Sequence, residues 1–189
     1  ATCCMFSIFQ PFIYIWAGKE LVLANSSMIL FCMYFYMMNV NNPINLYFET
    51  NGLWNRAKHL FILSAIFNLI LNFILCVFIG INGILIATIF SIVLFSIIGR
   101  LKLLYNNYFR EYKMTEFLGN EMKYFSVTIV ACLTSFLLNM LLDVEGIAGI
   151  ILGLAIAVAT SLLCWYLFFR KSKYFSESIT FIKRLIKRD

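Results

Sequence analysis

The sequence predicts an all-α integral membrane protein, an antiparallel bundle of about six transmembrane helices, and three observations carry that expectation. The first is a stretch over 60–99 that holds no Asp, Glu, Lys or Arg and breaks its hydrophobicity only at Gly80, Ile81, Asn82 and Gly83. A hydrocarbon core about 30 Å thick takes about 20 apolar residues to cross, so this stretch is long enough for two crossings and too long for one. The second is composition: 62% of the 189 residues are hydrophobic and 13% charged, with a mean hydropathy of +0.89. A soluble domain holds roughly 45–50% apolar and 25% charged residues. The third is that the basic residues gather in alternate connections between the apolar runs, as they do when Lys and Arg are retained on the cytoplasmic side.

Taken in order, the apolar runs place spans near 1–17, 21–40, 60–79, 83–99, 122–142 and 147–169, followed by a basic tail over 170–189. The first opens on Ala1 inside an apolar run, with no initiator Met, basic flank or small-residue cleavage site, and so does not read as a signal peptide. The expectation is the C-terminal part of a longer protein. Outer turns at Gly18, Lys19 and Glu20 and at Gly80, Ile81 and Asn82 are short enough to make their flanking helices antiparallel neighbours. Gly146, Ile147, Ala148, Gly149 and Ile150 echo the sequence of the second turn, which predicts a similar tight reversal without implying a duplication.

The inner connections, 41–59 and 100–121, are longer and mix aromatic with charged residues. In the first, Pro43 suits the opening turn of a short helix, Asn51 and Gly52 suit its end, and Trp54 suits headgroup depth. In the second, Tyr105, Tyr108, Phe109 and Tyr112 at three- and four-residue spacing predict a helix lying in the interface. The tail sets Phe175, Ile179, Ile182 and Ile186 on one helical face and Lys183, Arg184, Lys187 and Arg188 around the other, an amphipathic helix suited to membrane lipids. A calmodulin-like partner is the competing reading of such a basic stretch.

With the first span leading outward, the inner segments hold fourteen of the fifteen basic residues, and only Lys19 lies outside with Glu20, Asp143 and Glu145. The C-terminus is then cytoplasmic. The net charge of +6 reports topology and attraction to anionic headgroups, and its spread over separate loops excludes a nucleic-acid-binding face. Cys3, Cys4, Cys32, Cys76, Cys132 and Cys164 all fall in expected spans without zinc-site spacing, so they read as packing residues, and no metal or other cofactor is expected. His59 reads as a solvated interfacial side chain, and Asn25, Ser26 and Ser27 form a glycosylation sequon placed where no sugar could be attached.

Ser64, Asn68, Asn72 and Cys76 recur every four residues and share one helical face. They either line a hydrated pathway or serve as interhelical glue at about 0.6 kcal/mol per hydrogen bond. Gly149, Gly153, Ala157 and Ser161 make a small-residue face for close helix packing, and Asn139 and Asp143 read as wet headgroup residues. No span carries an interior Asp, Glu, Lys or Arg, and Glu49, His59, Glu111 and Glu116 in the loops show no catalytic spacing, so an enzyme is not expected.

Three segments carry a resemblance: Gln10, Pro11, Phe12 and Ile13 on through Trp16 to Glu20; the connection from Asn39 to Lys58 with Gly52, Leu53 and Trp54; and Asn68 to Thr88 with its turn from Phe78 to Gly83. Over roughly 6–100 the chain resembles the second lobe of the polysaccharide and oligosaccharide flippases, the Wzx-type branch of the multidrug/oligosaccharidyl-lipid/polysaccharide exporter superfamily. The resemblance implies a partial second lobe of a MATE-like transporter in a bacterial inner membrane. It implies alternating access for an undecaprenyl-pyrophosphate-linked oligosaccharide, with Arg56, Lys58 and Arg100 placed to meet the pyrophosphate, although positive-inside topology explains the same three residues. One partial lobe cannot alternate alone, so the missing N-terminal lobe is an expected partner. A drug or cation antiporter, a membrane glycosyltransferase or polymerase, and a non-catalytic subunit docking through the Gly149 stripe are the other function classes in view.

Overall fold

In lipid every backbone N–H and C=O must be satisfied within its own segment, so apolar runs of this length become helices. The protein is seen in a computed structural model that describes residues 1–142 and 146–186. Within those residues the helices are α1 (Thr2–Ala17), α2 (Asn25–Thr50), α3 (Trp54–Ile79), α4 (Ile81–Asn107), α5 (Met114–Leu142), α6 (Gly146–Phe169) and α7 (Lys173–Ile186), with a single 3₁₀ turn at Lys19–Leu21. No strand occurs among the described residues.

Four of these helices, α3 to α6, are long and apolar enough to cross a membrane. Six were expected, the first of them incomplete, and the other two helices differ from these four. The apolar helix α1 shows 16 residues from the start of the sequence given, which is where the expectation placed an incomplete span. In α2, Asn25, Asn39, Asn41, Asn42 and Asn45 dilute a 26-residue helix. It starts at Asn25, after the 3₁₀ turn, and not at Leu21.

The two inner connections also differ from the expectation. Pro43 does not open a new helix: α2 runs through it to Thr50 and stops at Asn51 and Gly52, where Gly52 takes φ +61°. Proline is tolerated inside membrane helices because neighbouring groups re-satisfy the freed carbonyl. Likewise Arg100–Asn107 is the end of α4, and the aromatic residues that follow form a turn over 108–113 instead of an interfacial helix. The C-terminal helix α7 forms over Lys173–Ile186, with Phe175 edge-on to Tyr166 of α6. Asp143 and Glu145 of the last outer turn, and Lys187 and Arg188 of the tail, lie outside the described residues.

The reversal between α3 and α4 is a single residue, Gly80, at φ 60°, a conformation that glycine adopts without steric cost. Three residues on, Gly83 lies so close to α3 that a Cβ there would collide with the Leu75 carbonyl oxygen. Gly146, the first residue of α6, also takes a positive φ, 75°; the turn before it lies outside the described residues.

The helices sort into two groups. In one, α4 is central and packs on α2 and α3; in the other, α1 packs on α5 and α6. Contacts between α1 and α2 join them, reinforced by Tyr36 of α2 tilted against Phe125 of α5 at 5.2 Å. The first group is cored at its inner end by Ile44, Phe48, Leu53, Ala57, Ile97, Leu101 and Leu104. The second is cored by Cys3, Ala131 and Cys132, with the Cys3 and Cys132 sulfurs 3.4 Å apart as thiols. Packing of this kind, and not the hydrophobic effect, holds helices together in lipid.

Candidate functional site

Asn41, Asn45 and Phe48 stand at four- and three-residue spacing, so one face of α2 presents two amides and a ring at the inner end of the first group. Across from it, α4 changes winding. Ile92–Gly99 is a π-helical stretch of eight residues, a geometry that occurs mostly as single turns and often at functional positions. Arg100 follows it directly.

Arg100 is 1% exposed. Its Nε donates to the Ser96 carbonyl at 2.7 Å, its Nη1 to Asn45 Oδ1 and its Nη2 to Asn41 Oδ1. A guanidinium only donates, so both amides must turn their oxygens toward it. Its Cζ sits 5.5 Å from the Phe48 ring centre and 5.3 Å from that of Phe61 on α3. Removing a cation from water costs several kcal/mol, and here carbonyl oxygens and two aromatic faces offset that cost. No described carboxylate pairs with Arg100, so the cluster carries an uncompensated positive charge enclosed by three helices.

This corrects the placement of Arg100 in a cytoplasmic loop: the helix does not end at Gly99, and the side chain turns inward among the asparagines. Arg56 and Lys58 are not gathered with it. Both are exposed, and Arg56 lies over the Tyr108 ring at 5.9 Å. The face of α3 between them carries Ala57, fully buried, and Phe61 beneath Arg100.

That same face continues outward through Ser64, Asn68 and Asn72. Asn68 Nδ2 donates to Thr88 Oγ1 of α4 at 3.4 Å, and Asn72 Nδ2 donates to Asn68 Oδ1 at 2.9 Å. The stripe therefore faces α4, while Cys76 at its outer end is exposed. Asn72 Oδ1 and Ser91 Oγ are buried acceptors without a partner among the described residues. At the outer end, Ser27 Oγ donates to Asn82 Oδ1 at 2.7 Å and Asn82 Nδ2 donates to Ser26 Oγ at 3.3 Å. The α2–α4 seam is thus closed by polar groups at both ends, neutral at the Asn82 end and cationic at the Arg100 end.

On α6, Gly153 and Ala157 are buried and Gly149 and Ser161 partly so. The helix packs on α1 and α5 of the same chain. Asn139 of α5, expected as a wet headgroup residue, is partly buried, and its Oδ1 lies 2.8 Å from where a Gly153 Cβ would stand. It also donates to the Ser135 carbonyl at 2.9 Å. Among the described residues, no three His, Cys, Asp or Glu side chains are grouped to hold a metal ion.

Asn41, Asn45, Phe48 and Phe61 were not singled out in the sequence. A signal was present, because Asn41 and Asn45 are one helical turn apart and Phe48 follows on the same side. Reading Pro43 as a helix start hid it. Comparison with known proteins finds no matching family model, no matching curated protein and no matching solved structure.

Proposed function

We propose that this chain is part of a membrane transporter that handles an amphiphile with an anionic head. The resemblance in the sequence narrows the proposal to a flippase for undecaprenyl-pyrophosphate-linked oligosaccharide, in a bacterial inner membrane with the C-terminus cytoplasmic. The observation that carries it is Arg100: a guanidinium enclosed among neutral acceptors, with no carboxylate to neutralise it, on a helix with widened turns. A pyrophosphate offers charge-assisted hydrogen bonds stronger than those of the two asparagine amides, so it can compete for the guanidinium.

Alternating access in this reading needs a second lobe. The chain's contribution is the α2–α3–α4 group, in which the inner Arg100 cluster and the outer Ser26, Ser27 and Asn82 cluster close opposite ends of one seam. An apolar cavity of about 310 Å³ between the two helix groups, walled by Phe6, Cys32, Met33, Tyr36 and Phe125, suits a hydrocarbon chain. A docking role for the Gly149 stripe is less well supported, because α1 and α5 already cover its buried residues.

The test is genetic and biochemical. In cells lacking the full-length gene, lipid-linked glycan accumulates in the cytoplasmic leaflet; the wild-type gene relieves the accumulation and Arg100→Gln, present at normal abundance, does not. Unchanged surface polysaccharide without accumulation contradicts the flippase reading.

A further inference from the structure

A second cavity, separate from the guanidinium pocket, opens at the inner edge of the bundle. Its volume is about 420 Å³, and it is formed by the end of α2, the end of α4, the turn over 108–113 and the first two turns of α5. Ile44, Leu101 and Leu104 close its back and separate it from Arg100. Its walls hold one cation, Lys113, one anion, Glu116, and an aromatic cluster. Within that cluster Phe109 stands edge-on to Tyr47 at 5.5 Å and tilted against Tyr105 at 5.7 Å.

Lys113 and Glu116 line the same cavity and are joined through the backbone, the Glu116 N–H donating to the Lys113 carbonyl at 3.0 Å. Neither side chain is in an ion pair among the described residues, and both are exposed. The ligand that fits such walls carries both signs of charge. A purely anionic group meets Lys113 but is repelled by Glu116, and a purely cationic one meets the reverse. Aromatic faces beside a carboxylate are the chemistry that holds an ammonium.

Position supplies the rest. The cavity lies where the crossing helices α4 and α5 end, and Tyr47 and Tyr112 at its mouth are exposed, as amphipathic rings are at headgroup depth. We propose that this cavity seats the headgroup of a zwitterionic phospholipid from the adjoining leaflet. The phosphate is held by Lys113 and the tyrosine hydroxyls, the ammonium by Glu116 and the aromatic wall, and the acyl chains run up the outside of α4 and α5. The site accounts for a carboxylate placed among basic loops, and it stands whether or not the flippase proposal does, because Arg100 takes no part in it.

Native mass spectrometry of the full-length protein, released from bilayers of equal parts phosphatidylethanolamine, phosphatidylcholine and phosphatidylglycerol, tests this. The wild type retains one zwitterionic lipid in preference to phosphatidylglycerol. Glu116→Gln lowers that preference about tenfold, the loss of a contact worth about 1.4 kcal/mol. Equal retention of the three lipids, or a preference unaltered by Glu116→Gln, overturns the proposal. Should the Gln variant prove unstable, a photo-reactive benzophenone side chain at position 112 of the otherwise native protein decides. Adducts that are mainly zwitterionic lipid support the site, and adducts that are mainly phosphatidylglycerol, or no lipid adduct, overturn it.

Discussion

At the scale of single residues, the strongest constraints come from one cation and one glycine. Asn41 and Asn45 each give Arg100 an oxygen in a place that is 1% exposed, so losing either amide leaves a charged donor without its acceptor. Asn41→Leu is expected to destabilise the protein by about 2–3 kcal/mol. Combining it with Asn45→Leu and Arg100→Met recovers most of that loss, because an apolar trio needs no acceptors. Thermal unfolding in detergent of the single and triple variants measures both effects, and equal stability of Asn41→Leu and the wild type would count against the cluster. At Gly83 a methyl group would collide with the Leu75 carbonyl, whereas at Gly119 it would meet nothing within 4 Å. Gly83→Ala should therefore cost about 1–3 kcal/mol in the same assay while Gly119→Ala costs nothing.

At the scale of helices, the polar face of α3 reads mainly as a fastening. Asn68 reaches Thr88 and Asn72 reaches Asn68, yet Asn72 Oδ1 and Ser91 Oγ lack partners among the described residues and leave places for water. Replacing Asn68 and Asn72 by Leu should lower abundance in the membrane by weakening the α3–α4 contact. Normal abundance with lost transport would assign the face to a pathway instead, and immunoblotting beside a transport assay separates the two. Much of this architecture was legible from the chain alone, because charge-free runs such as 60–99 leave helices as the only option for the backbone. What was not legible was the continuation of helices past their apolar segments. The ends of α2 and α4 look like loops in the sequence, since asparagines and basic residues interrupt the hydrophobic pattern and Pro43 stands among them. Their polar side chains are in fact mutual partners, and a pairing of Asn41 with Arg100, 59 positions apart, leaves no mark in local periodicity.

At the scale of the molecule, the exposed surface suits a bilayer. Leu69, Phe73, Val77 and Phe78 are each more than 70% exposed along α3, and a contiguous apolar face of that extent is not stable in water. Position 113 lies between α4 and α5, on the side that the proposed topology puts in the cytoplasm. A single cysteine there, in a protein with its six native cysteines replaced, should resist a membrane-impermeant thiol reagent in intact cells and react in inside-out vesicles; the opposite pattern would invert the topology. Such a surface is compatible with a membrane protein. What it does depends on the enclosed cation, and the most direct measurement is calorimetric titration of the purified full-length protein with a short-chain prenyl pyrophosphate. The account predicts saturable binding at one site that weakens about tenfold or more in Arg100→Gln, a loss of about 1.4 kcal/mol or more. Binding that is absent in the wild type, or equal in the two proteins, would contradict it.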